Sequence, residues 1–125
     1  MFNLALQVKS VRQAILDLVY QAKTSHVGSS LSVADILVAL YFDVMLIDPK
    51  NPNSSHRDRL ILSKGHSVSA LYATLAQRGF FPKNELEEYG KEGSKLASHG
   101  ERNALPGIEV STGSGGHGLS LGIGM

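Results

Sequence analysis

Apolar residues in the first stretch of the chain, Leu4, Val8, Val11, Ile15, Leu18 and Ala22, recur at alternating steps of four and three, with Lys9, Arg12, Gln13 and Asp17 between them. That spacing lines one face of a 3.6-residue period and predicts an amphipathic helix from about residue 4 to Ala22. A second apolar face, Val33, Ile36, Leu37, Leu40, Tyr41 and Val44, predicts a helix that begins near Ser32. Ser32 can cap its first turn, with Asp35 three residues on. The run Asp48-Pro49-Lys50-Asn51-Pro52-Asn53 then breaks regular structure by turn chemistry. Arg59 to Ser63 is an apolar run of strand length, and Val68 to Arg78 reads as a third helix that Gly79 terminates. A short fourth helix fits after Pro82 as far as Tyr89, with Glu85 in its first turn. Gly90 to Leu105 reads as an irregular connection and Ile108-Glu109-Val110 as a brief extended piece. Helix–strand–helix order around a buried strand predicts an α/β arrangement, helix-rich with a short parallel sheet.

Composition sharpens this picture in two places. Only Gly28 and Gly65 precede residue 79, and ten of the 13 glycines lie from Gly90 onward, so the loops should concentrate in the second half. Residues 110 to 125 carry no charge and hold six glycines. An uncharged apolar segment of that kind is expected to pack inside something, either a downstream part of a longer chain or another subunit. Elsewhere composition mainly excludes. At 125 residues with a formal charge of +1, the chain is one domain in size and has no charge signature for nucleic acid or a membrane surface. No cysteine is present, which removes disulfides, thiol nucleophiles and thiolate metal sites. No apolar run in the sequence approaches the ~20 residues of a bilayer span, and Met1 to Ala5 lacks a signal-peptide pattern. A soluble, cytoplasmic chain is expected.

The five histidines are the candidate chemistry. None pairs with another at the i, i+3 or i, i+4 spacing a metal site would use, so no metal ligands are assigned. His26 sits in the small-residue loop Thr24-Ser25-His26-Val27-Gly28-Ser29-Ser30, and His66 follows Ser63-Lys64-Gly65. His99 lies in Ala97-Ser98-His99-Gly100, and His117 interrupts the glycine run. Each stands among Gly and Ser in a predicted loop, as suits a group that meets a ligand; the alternative is four solvated surface histidines. His56, in the polar Ser54-Ser55-His56-Arg57 stretch, reads as surface. Gly113-Ser114-Gly115-Gly116-His117-Gly118 satisfies the dinucleotide pattern G-x-G-x-x-G, but late in the chain and with no acidic residue about twenty positions on.

Taken in order, the blocks Ser25-His26-Val27-Gly28-Ser29-Ser30-Leu31-Ser32, Ala34-Asp35-Ile36-Leu37, Arg57-Asp58-Arg59, Leu62-Ser63-Lys64-Gly65-His66, Ser98-His99 and Pro106 to Ser114 resemble the N-terminal part of transketolase. The flavour is that of the N-terminal subunit of two-gene transketolases, from Val27 where single-chain enzymes usually have Pro and His117 where they have Gln. The resemblance implies a single thiamine-diphosphate-binding (pyrophosphate-type) domain over residues 1–125, the front portion of that fold, cut before its metal-binding motif. It implies transfer of a two-carbon glycolaldehyde unit between sugar phosphates, in carbohydrate metabolism of the pentose phosphate kind. The implied catalytic residues are His26, His66 and His99, and the implied cofactor-binding residues are His66, Gly113, Ser114 and Gly115. Thiamine diphosphate and Mg²⁺ are the implied cofactors, with the metal ligands absent from this chain. Gly115 stands where the family usually has Leu, and Gly100 where it has Pro. The chain is therefore expected to be inactive alone, and to work as a homo-oligomer, with a complementary C-terminal polypeptide, or both. A rival reading is a non-catalytic oligomerisation or interaction module that keeps the fold.

Overall fold

A computed structural model describes all 125 residues and shows an all-helical chain. Helix α1 spans Leu4–Ala22. Asn3 caps it by accepting the Leu6 N–H at 3.2 Å, and Lys23, at φ 51°, closes the other end with the Thr24 N–H donating to Val19 O at 3.2 Å. That six-to-one bond is the usual way a helix satisfies its last carbonyls. Helix α2 spans Val27–Ala39 and continues as a π-turn over Leu40–Val44, closed by Met45 N–H donating to Leu40 O at 2.8 Å. The extra residue in that turn lets two consecutive aromatics, Tyr41 and Phe42, both enter the core. Helix α3 spans Val68–Arg78 behind a tight turn at Gly65–Ser67, and Gly79, at φ 99°, ends it. A short 3₁₀ segment follows at Lys83–Glu88, and helix α4, His117–Gly124, closes the chain.

α3 is the hub, buried continuously from Val68 to Ala76, with α1 and α2 packed on it and on each other. α1 contributes Val11, Ile15 and Leu18, and α2 contributes Val33, Ala34, Leu37 and Val38. Polar atoms trapped by this packing find partners: Ser30 Oγ with Ser69 Oγ at 2.7 Å, Thr74 Oγ1 donating to Ala70 O at 2.8 Å, and Tyr72 Oη donating to Ala97 O at 3.0 Å. The helical run Val27–Val44 has a mean hydropathy of 1.6 and is long and apolar enough, by length and composition, to cross a membrane. Read by linear apolar runs, the sequence hides this, because Asp35 and Asp43 interrupt it. Val33, Ala34, Leu37, Val38, Tyr41 and Phe42 of that run are buried in the core with α1 and α3, whereas Ile36 and Val44 of the expected apolar face are exposed.

The predicted parallel sheet does not form, so the α/β expectation is corrected to a helical fold. Leu60-Ile61-Leu62 and Ile108-Glu109-Val110 border one small hollow, yet residues 59–63 take part in no backbone–backbone hydrogen bond. Residues 108–112 spend theirs on a turn, Ile108 N–H to Leu105 O at 3.2 Å, and on Thr112 N–H to Gly100 O at 3.2 Å. A strand is defined by its ladder, and apolar runs report burial rather than pairing. The second helix also starts five residues before the expected Ser32, because His26 in the left-handed region (φ 69°, ψ 21°) opens it with Ser30 N–H donating to His26 O at 3.0 Å. Ser32 instead donates its hydroxyl back to Ser29 O at 2.7 Å.

Candidate active site

Three chain segments bring the expected histidines together. His26 is held at the entry to α2, where its backbone takes an angle that side-chain-bearing residues rarely adopt, a feature concentrated at functional positions. His66 sits in the tight turn before α3, and the two rings lie 5.1 Å apart at 59°. His99 arrives from the long irregular connection, whose backbone is pinned two residues earlier by Tyr72. His26 and His99 line one open hollow of about 440 Å³ with Lys23, Thr24, Ser25, Tyr89 and Ser98.

The glycine segment joins the same place through backbone packing. A Cβ on Gly65 would stand 2.8 Å from Gly113 N and Thr112 C, so only glycine lets the His66 turn lie against that strip. A Cβ on Gly113 would touch His99 Cδ2 at 3.5 Å. His66, His99 and Gly113 are thus drawn together. Ser114 and Gly115 follow in an exposed turn, where Ser114 O accepts the His117 N–H at 3.2 Å and the Cβ direction of Gly115 is open. Neither makes a hydrogen bond to His26, His66 or His99. His117 opens α4, and His56 lies apart on an exposed loop.

The lining of the hollow is hydroxyls, imidazoles and one ammonium, with no carboxylate. Such a wall favours an anionic or polyhydroxylated ligand, since it offers donors and positive charge without repulsion. Thr24 Oγ1 adds a specific signal: it is buried at this hollow and has no partner within the chain. An orphaned hydroxyl of this kind is what a bound ligand oxygen would satisfy. No group of three or more His, Asp or Glu side chains converges anywhere, so the residues present do not fit a metal ion.

Two features escaped the sequence. Ser29 Oγ lies 2.9 Å from His66 Nε2 and also pairs with Ser67 Oγ, while Lys64 Nζ donates to Ser29 O and Ser32 Oγ at 2.9 Å each. These contacts span 35 to 38 residues for Ser29, which no local pattern reveals. The second is an ion pair, Arg57 with Glu109, made through both guanidinium amino groups, with side chains only 14% and 11% exposed. It borders a larger hollow, about 590 Å³, whose rim also carries Arg59, Lys95 and Arg102 but no histidine. His26 and His99 line the smaller one.

The helical scaffold thus sets His26 and His99 on a carboxylate-free hollow, with the His66 ring 5.1 Å from that of His26 and Gly113 packed beside His99. Comparison with known proteins gives the family. Residues 4–125 match the family described as "Transketolase, thiamine diphosphate binding domain", and the chain belongs to the transketolase family. It is 46% identical over 123 residues to an apulose-4-phosphate transketolase subunit from Phocaeicola vulgatus, covering 98% of this chain and 43% of that one. It is 44% identical over 123 residues to the 6-deoxy-6-sulfo-D-fructose transketolase subunit SqwG of a Clostridium species, covering 98% and 45%. The chain therefore spans less than half the length of these relatives. Among solved structures, transketolase from Leishmania mexicana superposes with a TM-score of 0.92 at 30% identity, over 99% of this chain and 19% of that one.

Proposed function

We propose that the chain forms the imidazole wall of a transketolase site and works with a complementary polypeptide to transfer two-carbon units between ketose and aldose phosphates. The observation that carries this reading is the convergence of His26, His66 and His99 with Gly113. Two-carbon transfer moves protons on and off sugar hydroxyls near neutral pH, which is the range where imidazole exchanges them. Thiamine diphosphate, when bound, supplies the carbanion chemistry. In this reading His26 and His99 bind and deprotonate sugar hydroxyls, and His66 donates to an anionic oxygen. Gly113 and Gly115 carry no side chain to obstruct a flat ring, and the Cβ direction of Gly115 is open. Relatives named for a phosphorylated and a sulfonated ketose support a substrate with an anionic tail.

The test is reconstitution. The chain is mixed with a complementary C-terminal transketolase polypeptide, thiamine diphosphate, Mg²⁺, a ketose phosphate and an aldose acceptor, and two-carbon transfer is followed. Turnover is expected only in the mixture, and His26→Ala or His99→Ala should lower kcat by about 10²- to 10⁴-fold, the usual worth of a positioned acid–base group. Unchanged turnover in both variants would remove the reading. A second reading, a non-catalytic interaction module, is supported by the apolar side chains on α4, Leu119 at 73% and Ile123 at 80% exposure. It predicts association with the complementary polypeptide and no turnover under any loading.

A further inference from the structure

The hydroxyl pair behind His66 bears on where its ring proton resides. Ser67 is fully buried and its hydroxyl has one partner, Ser29 Oγ; Ser29 Oγ has two, Ser67 Oγ and His66 Nε2 at 2.9 Å. With Nε2 unprotonated, Ser67 donates to Ser29 and Ser29 donates to Nε2, and both hydroxyl protons are used. With the proton on Nε2, Ser29 must accept from the ring, and one of the two serine protons is left with no acceptor in the chain. A buried donor without an acceptor is expensive relative to any made hydrogen bond. The partner at one ring nitrogen therefore decides the state of the other.

We propose that Ser29 and Ser67 are positioning residues that hold neutral His66 in the Nδ1–H tautomer, so that the imidazole meets a ligand as a hydrogen-bond donor. The frame for this relay is rigid. Ser29 lies in the first turn of α2, Ser67 ends the turn that opens α3, and Lys64 Nζ ties the two turns by donating to Ser29 O and Ser32 Oγ. The consequence is a division of labour between rings 5.1 Å apart: His66 donates, and His26, which makes no side-chain hydrogen bond, is left to accept. Only this last assignment of roles rests on the transketolase reading above.

Long-range ¹H–¹⁵N spectra of the ¹⁵N-histidine-labelled chain, with no cofactor or sugar present, test the tautomer directly. His66→Asn identifies the resonances. A pyrrole-like Nδ1 and a pyridine-like Nε2 are expected, in an excess of about tenfold or more, as one unmade buried hydrogen bond dictates. Ser67→Ala, which never touches the ring, should erase that excess toward the Nε2–H form that solvated imidazole prefers. Ser67→Thr should restore it, and Ser69→Ala, which removes the neighbouring Ser30–Ser69 pair, should leave it intact. Ser29→Ala, at a half-buried position, reports the same loss by a second route. An Nε2–H pattern in the unaltered chain, or an unaltered pattern in both serine-to-alanine variants, would overturn the proposal. Since no ligand is used, failure of reconstituted turnover with the Nδ1–H pattern intact would count against the functional reading alone.

Discussion

Replacing Gly65 by alanine tests whether close backbone packing assembles the site. A Cβ there would lie 2.8 Å from Gly113 N, Thr112 C and Thr112 Oγ1, and two of those three atoms are backbone. A rotamer change cannot relieve the clash; the His66 turn and the Thr112–Gly113 strip must separate. Gly65 does not occupy the left-handed region, so crowding is the whole effect. Overpacking of this sort costs about 1–3 kcal/mol, and the gain from a stiffer unfolded chain returns up to about 1 kcal/mol. The net expectation is a loss of about 1–2 kcal/mol, or roughly 0.5–1 M in the urea midpoint with the slope unchanged. Gly113→Ala is the matched comparison, because its Cβ meets only the His99 ring, Cδ2 at 3.5 Å and Cγ at 3.9 Å, and it should stay within about 0.5 kcal/mol. Ring resonances of both His66 and His99 should move in the first variant, and only His99 in the second. Equal stability of the two variants would refute the packing argument.

Three further outcomes follow from the same physics. Glu109→Gln strands the Arg57 guanidinium in a largely buried place and should cost about 3 kcal/mol in urea denaturation, whereas Arg57→Met with Glu109→Leu should recover most of it; equal losses in the single and double variants would contradict this. Tyr72→Phe removes the donor to Ala97 O, so stability should fall by about 1–2 kcal/mol and amide exchange should accelerate through Ser98 and His99; unchanged protection there would show that Tyr72 does not anchor that loop. Burial raises the phenol pKa of Tyr41, helped by the nearby Glu109 charge, and burial raises that of Tyr72, helped by Tyr89 and Glu101. Both phenols stay neutral in the fold while the unfolded chain ionises, so stability is full below about pH 10 and declines above it, by up to ~1.4 kcal/mol per pH unit for each tyrosine. Urea midpoints from pH 9 upward should show the decline, with a shallower slope in Tyr72→Phe.

What could be read from the sequence divides along local and non-local lines. α1 from Leu4 to Ala22 and α3 from Val68 to Arg78 were legible, because apolar period and terminal residues are properties of neighbours in the chain. The glycine after α3 acts as expected, its N–H donating to Leu75 O at 3.0 Å. The start of α2 was not legible, since a histidine in the left-handed region is a poor advertisement for a helix. Strand character in Arg59–Ser63 was misread because an apolar run shows that a segment is buried and says nothing about whether a partner strand bonds to it. Family motifs located His26, His66 and His99, yet the hydroxyl relay through Ser29 and Ser67 needed coordinates: serine carries no periodic signature, and those two are 38 residues apart.

The all-round burial of α3 has a bearing on how this scaffold can be altered. His66 stands in the turn that leads directly into this buried helix, whereas His26 and His99 stand on the exposed margin. Exchanging rim residues such as Ser25 and Ser98, both solvent-facing, can thus reshape the hollow without disturbing the packed helices. The anvil stays put while the tools around it are changed.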